Sequence, residues 1–522
     1  MDRGSIHDTL KRYWGYDSFR AKQEEIINSV LLGKDTLGLL PTGGGKSITF
    51  QVPAMLLDGL TIVVTPLIAL MKDQADGLRD RHINAAYIHS GLRHGEIRNV
   101  IDRCMFGKCK FLYISPERLA SSSFIESLRR MKVSLIVVDE AHCISQWGYD
   151  FRPSYLNIAS IRQLFPGAPV LALTASATPA VVADIMQQLQ FKEPNVIRKS
   201  FRRDNLSYIV RHQENKTEKL FSALSRIYGS GIIYVRSRAK TKDIAEQLKS
   251  QGFSADYYHA GLTTEEKRDK QDKWKRGEIR IIVATNAFGM GIDKPDVRIV
   301  VHHDLPSSLE EYYQEAGRAG RDGQPARCTL LYSGTDVRTI RFFIDKEREA
   351  DNGLPADVKA EAARKAEERL KYMTFYSTTQ RCLRGFLLQY FGEAAPKKCG
   401  NCSCCLAAEQ EAQLQVEYAR RRAAQSADRL EKPRRAKPAA GSLSEADEKL
   451  LNALYAVRKR LAGKQNLPAF MVFNDATLRE MAEKKPMSID ELLNISGVGE
   501  KKAARYGNAF LRVIEDAVGS RE

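Results

Sequence analysis

The strongest constraint on this chain is a rhythm. Short apolar runs recur along its first two thirds: "TIVVTP" (61–66), "FLYISP" (111–116), "LIVVDE" (135–140), "VLALTA" (170–175), "GIIYVRS" (231–237) and "RIIVATN" (280–286). They are rich in β-branched residues, do not alternate with polar ones and stop abruptly at polar residues, as strands of a parallel sheet buried on both faces do. The intervening segments are longer, charged and amphipathic, so the chain up to about residue 340 reads as α/β. Ligands of open α/β sheets gather at the carboxyl ends of strands, which directs attention to the polar residues closing each run. A length of 522 residues exceeds what one core can organise and calls for several domains. A faint echo, "IHSGL" (88–92) and "YHAGL" (258–262), suggests two related sheet lobes divided near residues 200–215, with chance repetition as the alternative.

A net charge of +17 points to a polyanionic partner, because clustered Lys and Arg gain affinity by releasing phosphate counterions; the alternative is simple solubility. No apolar run approaches the roughly 18 residues of a membrane span. The N-terminal "MDRGSIHDTLKRYWGY" lacks the apolar stretch of a signal peptide, which predicts a reducing cytoplasmic setting without disulfides. Five of the nine cysteines nevertheless fall between Cys382 and Cys405, a clustering that suggests metal.

"LLPTGGGKS" (39–47) follows a strand-like run and precedes an amphipathic segment. Thr42, Gly43, Gly44 and Gly45 can wrap backbone amides around phosphate oxygens, Lys46 can reach the terminal phosphates, and Ser47 can ligate magnesium. Leu40 stands where the usual first glycine would be, so a plain glycine turn remains the alternative at this stage. The run "VVDEAH" adds Asp139, suited to hold magnesium through its water shell, and Glu140, suited to orient and deprotonate the attacking water. Together the two motifs predict ATP hydrolysis. "QEAGRAGRDG" (314–323) offers Gln314, Arg318 and Arg321 to a phosphoryl group accumulating negative charge, unless it is only a solvated basic helix end. With the lysine on one lobe and the arginines on the other, the site would close only when the lobes meet, coupling hydrolysis to domain motion.

The ordered set "PTGGGKS", "TPLIALMKDQ" (65–74), "SPERL" (115–119), "DEAH", "TASAT" (174–178), "ATNAFGMGIDKPDVR" (284–298) and "QEAGRAGRDG" resembles the RecQ family of superfamily-two DNA helicases. The likeness covers residues 1 to about 406 closely and the C-terminal module more loosely. "AHCISQWGYDFRP" and "AFGMGIDKPDVR" are its specific parts, since "DEAH" alone suits RNA helicases as well. It implies two RecA-like parallel-sheet lobes (1–205 and 206–340), a helical zinc-binding domain (341–406), a basic linker (407–443) and a small all-α HRDC-like domain (444–522). It further implies an ATP-dependent 3′ to 5′ DNA helicase working in repair and recombination with ATP, Mg2+ and Zn2+, the alternatives being an RNA-stimulated ATPase of the same superfamily and a non-catalytic DNA-binding scaffold on a degenerate motor. The partners implied are single-stranded, forked or junction DNA, for a monomer without membrane contact that is nucleoid-associated if bacterial.

By the same likeness Tyr16 and Arg20 sandwich the adenine and Gln23 reads its edge, although Ala21 and Lys22 replace the usual Pro-Gly. Thr174 and Ser176 link the movements of the lobes, and Arg321 is the arginine finger with Arg318 beside it. Cys382, Cys399, Cys402 and Cys405 match the zinc ligands, four thiolates forming a closed structural site, with an iron–sulfur cluster as the alternative and Cys404 as a spare. In the aromatic stretch after Glu140, Trp147, Phe151 and Arg152 are expected to touch single-stranded DNA, with His142 and Gln146 facing the nucleotide; a packed core loop is the competing reading. The winged-helix domain that relatives commonly carry after the zinc module has no room between Cys405 and the final helices, so altered duplex recognition is expected.

At the C-terminus, Leu450, Leu454, Val457 and Leu461 recur at helical spacing, and "SIDE" (488–491) fits a capping box. "ISGVGEKKAARYG" (495–507) is either a phosphate-holding helix start or an ordinary interhelical turn.

Overall fold

The computed structural model describes residues 3–41, 43–89, 91–212, 215–289, 294–350, 355–410, 413, 444–464, 469 and 472–519. Thr42 and most of the 407–443 linker lie outside them. The chain forms two compact units, residues Met1–Glu417 and Tyr418–Glu522.

Every apolar run named above forms a strand. In the first lobe these are β1 (Thr36–Leu39), β2 (Leu60–Val64), β3 (Ala85–Ile88), β4 (Phe111–Ile114), β5 (Val133–Val138), β6 (Val170–Thr174) and β7 (Val196–Arg198). They pair in the order β3-β4-β2-β5-β6-β1-β7, all parallel. The second lobe has β8 (Leu206–His212), β9 (Ser230–Tyr234), β10 (Ala255–Tyr258), β11 (Ile281–Ala284), β12 (Val297–His302) and β13 (Ala326–Tyr332), in the order β10-β11-β9-β12-β13-β8, again parallel. Central strands such as β1, β2 and β11 are buried throughout, because helices cover both faces and leave no solvent side to be polar.

The two orders superimpose strand for strand, apart from β7. The echo falls on equivalent edge strands, β3 and β10. Each carries a tyrosine that stacks on the histidine just past the strand, Tyr87 with His89 and Tyr257 with His259, both with ring centroids 5.7 Å apart. The echo thus marks equivalent places in the two lobes.

Helices Gly334–Glu349, Ala356–Thr378 and Leu383–Tyr390 follow the second sheet. Leu370, Met373, Tyr376, Leu383, Leu387 and Cys402 share one apolar cluster with β8, β9 and β12, so the cysteine module is built onto the second lobe's core. A backbone bridge between Tyr208 and Cys402, and a Ser207 Oγ donation to Asn401 O at 3.0 Å, fasten the cysteine loop to β8.

The C-terminal unit packs helices Glu445–Lys464, Asp475–Lys484, Ile489–Leu493 and Glu500–Gly519 around Leu454, Phe473, Met481, Leu492, Phe510 and Ile514. Ser488 caps its helix by accepting from Glu491 N, as the "SIDE" pattern predicts. The reciprocal bond differs from a full capping box: the Glu491 carboxylate accepts from Met487 N, one residue earlier, at 2.8 Å. Gly497 has φ +89°, and a methyl there would meet Thr477 Oγ1 at 2.5 Å, so the turn serves close packing between helices. Among the described residues no helix is long and apolar enough to cross a membrane.

Candidate nucleotide and DNA site

Strands β1, β6 and β5 are neighbours, so their carboxyl ends deliver the glycine loop, Thr174 and the acid pair to one edge of the sheet. Gly43 and Gly45 have φ of +80° and +73°, a left-handed backbone that side chains resist, and a side chain at Gly45 would collide with Gln23. Lys46 opens the next helix and reaches across the site to donate to Glu140 Oε1 at 2.8 Å, with Asp139 Oδ1 at 3.9 Å. Glu140 itself sits at φ +47°, a strained conformation for a residue with a side chain, immediately after the strand. Its Oε2 lies 3.4 Å from His142 Nδ1, and that nitrogen is 3.0 Å from Thr174 Oγ1.

Burial pushes Asp139 up to about 6 against the pull of Lys46. Burial works the same way on Glu140, but Lys46 and His142 outweigh it and hold that carboxyl below its ordinary range, in its ionised form. The ammonium of Lys46 is disfavoured by burial and kept charged by both acids. Ser47 and Asp139 offer the hard oxygen donors that magnesium prefers.

The residues expected to hold the adenine stand beside the glycine loop. Gln23 donates its amide to Gly45 O at 2.9 Å and Gly44 O at 3.3 Å and accepts from Arg20 N at 2.7 Å, so here it braces the phosphate loop. Arg20 donates to Gly43 O at 2.9 Å, and Tyr16 is exposed. These residues line a cavity of about 250 Å³ together with Pro295 and Arg321, which come from the second lobe. Arg321 lies against the glycine loop, close enough that a methyl at Gly43 would sit 3.0 Å from its Cγ. Arg318 is buried and donates to Gly289 O.

The aromatic stretch is partly core and partly surface. His142 is buried, Phe151 is half-buried, and Trp147 and Gln146 are exposed, so Gln146 does not accompany His142 inward. Arg152 is engaged with Asp150 at 3.0 Å and with Pro66 O at 3.5 Å. Ser176 is buried beside Thr174, its backbone N donating to Thr174 Oγ1 at 3.4 Å.

Sequence reading gave Tyr149 no role. Its ring stacks on His142 with centroids 4.7 Å apart, and its hydroxyl donates to Gln314 Oε1 of the other lobe at 2.6 Å. The zinc-module helix also grips this loop: Lys365 Nζ sits 3.9 Å over the Trp147 ring, and Arg369 Nη1 donates to Gly148 O at 3.3 Å. Aromatic density marked the loop, but no local signal identified partners so distant in sequence.

Cys382, Cys399, Cys402 and Cys405 bring their sulfurs within 4.8 Å of one another. Four soft thiol donors so close fit a tetrahedral zinc ion with Zn–S bonds of about 2.3 Å. Cys404 faces elsewhere, its thiol donating to Thr379 O at 3.4 Å.

A lysine–acid pair on one parallel-sheet lobe, and arginines presented to it by a second lobe of the same topology, define a two-lobed RecA-like ATPase of the helicase class. Family comparison agrees along the chain: DEAD/DEAH box helicase at residues 20–185, helicase conserved C-terminal domain at 215–323, RecQ zinc-binding at 334–406 and HRDC domain at 447–514. The ATP-dependent DNA helicase RecQ of Bacillus subtilis is 37% identical over 587 aligned positions, covering 97% of this chain and 98% of the relative. RecQ of Pasteurella multocida is 36% identical, covering 97% and 93%. Among solved structures, Mycobacterium smegmatis helicase Lhr bound to ssDNA and AMP-PNP matches with TM-score 0.51 and 20% identity over 72% of this chain and 58% of that one, a likeness of fold alone. The chain belongs to the RecQ family: it is an ATP-dependent DNA helicase that uses ATP, Mg2+ and Zn2+ and acts on DNA.

Proposed function

We propose that this helicase translocates 3′ to 5′ along single-stranded DNA as a monomer and separates forked or junction duplexes in repair and recombination. The observation that carries the reading is the split site, with Lys46 and Glu140 on one lobe and Arg321 against Gly43 from the other. In this reading Lys46 holds the terminal phosphates, Ser47 and Asp139 hold the magnesium ion, Glu140 takes the proton of the attacking water, and Arg321 neutralises charge on the transferring group. Each hydrolytic event removes the group that both lobes grip, so the cleft opens and closes once per turnover. Tyr16, Arg20 and Gln23 serve the base of ATP, with Gln23 exchanging its present bonds to the loop for the adenine edge.

The aligned span with the Bacillus relative exceeds the length of this chain, so that relative carries segments absent here. Residues 407–446, between the zinc-binding and HRDC matches, are too few for a winged-helix domain. Weaker grip on blunt duplex than on single strands is therefore part of the proposal. The test is strand separation of duplexes carrying a single-stranded tail at either the 3′ or the 5′ end. ATP-dependent unwinding of the 3′-tailed substrate is expected, and unwinding confined to 5′ tails would overturn the polarity.

A further inference from the structure

A cavity of about 650 Å³ lies where the aromatic loop, the start of helix Leu309–Ala316 and the zinc-module helices meet, away from the nucleotide cavity. Its size falls in the range of about 300–1,000 Å³ typical of small-ligand sites. Three large aromatic side chains on its wall stand open to solvent: Trp147 is 48% exposed, Tyr372 41% and Phe375 50%. Exposed aromatics gathered at one cavity mark a binding surface more often than scattered ones do.

The second feature is a polar group without a complement. Glu310 lines the cavity and is only 3% exposed. Its Oε1 accepts from the Tyr390 hydroxyl at 2.6 Å, while its buried Oε2 has no hydrogen-bond partner among the described residues. Leaving a buried carboxylate oxygen without a donor costs stability, and a carboxylate can only accept. Arg369 and Arg381 line the same space and supply donors of the opposite charge.

We propose that this cavity receives one unstacked, amino-bearing nucleobase of single-stranded DNA. Its ring lies on Tyr372 and Phe375, and its N–H groups donate to the Glu310 carboxylate, which turns toward the cavity as the base enters. The inference rests on the reading that the enzyme tracks single strands. Adenine, cytosine and guanine each carry an exocyclic amine that suits a carboxylate acceptor, here the buried Glu310 with the exposed Glu368 on the same wall, whereas thymine offers one ring N–H flanked by two carbonyls that a carboxylate repels. Stacking accommodates any base, so choice comes from Glu310, while Arg369 and Arg381 meet ring acceptors or the neighbouring phosphate. Because Glu310 belongs to the second lobe, Trp147 to the first and Tyr372 to the zinc module, a base seated here lies where all three meet.

The test is fluorescence anisotropy at neutral pH with the full chain and oligonucleotides of one length, all-dC or all-dT, alongside DNA-stimulated ATP turnover. Wild type is expected to bind dC about 10-fold more tightly than dT. Glu310→Gln keeps an acceptor for Tyr390 and adds an amide donor, so it should abolish or reverse that preference. Tyr372→Ala and Phe375→Ala alter exposed positions without emptying the core and should weaken both oligonucleotides about 5-fold or more. Equal affinity for dC and dT in wild type, or a preference that survives Glu310→Gln, overturns the inference. So does normal DNA binding by both aromatic variants, which would leave the cavity to an aromatic peptide instead. If no oligonucleotide stimulates turnover, the translocation reading itself fails, a result distinct from stimulation without base preference.

Discussion

Lys46 and Lys216 occupy the same place in their respective lobes, each opening the first helix after the equivalent strands β1 and β8. Only one is a catalytic candidate. Lys216 is saturated: it donates to both oxygens of Asp336, at 2.6 and 2.9 Å, and to His303 O at 2.7 Å. Those bonds use all three hydrogens of an ammonium group and leave none for phosphate. Lys46 instead bridges toward Glu140 at 2.8 Å with Asp139 at 3.9 Å, partners that stand across a cleft and can be exchanged for phosphate oxygens. The electrostatics diverge accordingly. Burial disfavours both charges, yet the two acids outweigh it at Lys46, whereas at Lys216 burial prevails over Asp336. A shared topology therefore supplies a lysine twice, and the glycine loop with its facing acids makes one of them chemically useful.

The sharpest way to break this contrast is to remove each lysine in turn. Lys46→Ala should reduce DNA-stimulated ATP turnover to background in a folded protein. Lys216→Ala should cost about 3 kcal/mol of stability by leaving Asp336 without its counter-charge, with turnover persisting below the melting transition. Equal loss of turnover from both, with both folded by circular dichroism, would end the distinction. Arg321→Ala should lower turnover about 10³-fold while nucleotide binding persists, because the second lobe then contributes no finger; pre-steady-state hydrolysis measures it.

The second lobe should also be the one that depends on metal, since the cysteine loop is fastened to β8 and shares its core. Cys402→Ser should abolish stoichiometric zinc and lower that lobe's melting midpoint by more than about 4 °C, read by calorimetry with metal analysis. Loss of metal without a thermal shift would separate the module from the lobe. Trp147→Ala should lower stimulation by single-stranded DNA about 10-fold, the equivalent of about one base stack, in a titration of turnover against DNA. The smallest effect belongs to the C-terminal unit, where Gly497→Ala should cost about 1–2 kcal/mol in chemical denaturation through its left-handed backbone and its approach to Thr477.

Much of the fold was legible because parallel strands buried on both faces must be apolar throughout, whatever surrounds them. The echo was undecidable at five residues and became meaningful only when β3 and β10 proved to be the same edge. At the site, the glycine loop, the acid pair and the clustered cysteines were readable because their chemistry depends on residues close in sequence. The bond from the Gln23 amide to the glycine loop had no local signal, because its partners lie more than twenty residues away in the chain.

The sequence by itself determined the chemical inventory and its order: the phosphate loop, the acids, the arginines and the four thiols, each encoded by short spacing. Tertiary structure decided which of these meet. Tyr149 and Gln314 are 165 residues apart and share a 2.6 Å hydrogen bond, and Trp147 lies under Lys365 of the zinc module. Such pairs leave no local pattern, because the backbone between them imposes no periodicity on their identities. They arise only when two lobes and a helical module close on one loop, the loop that carries Trp147 and follows Glu140 in the chain.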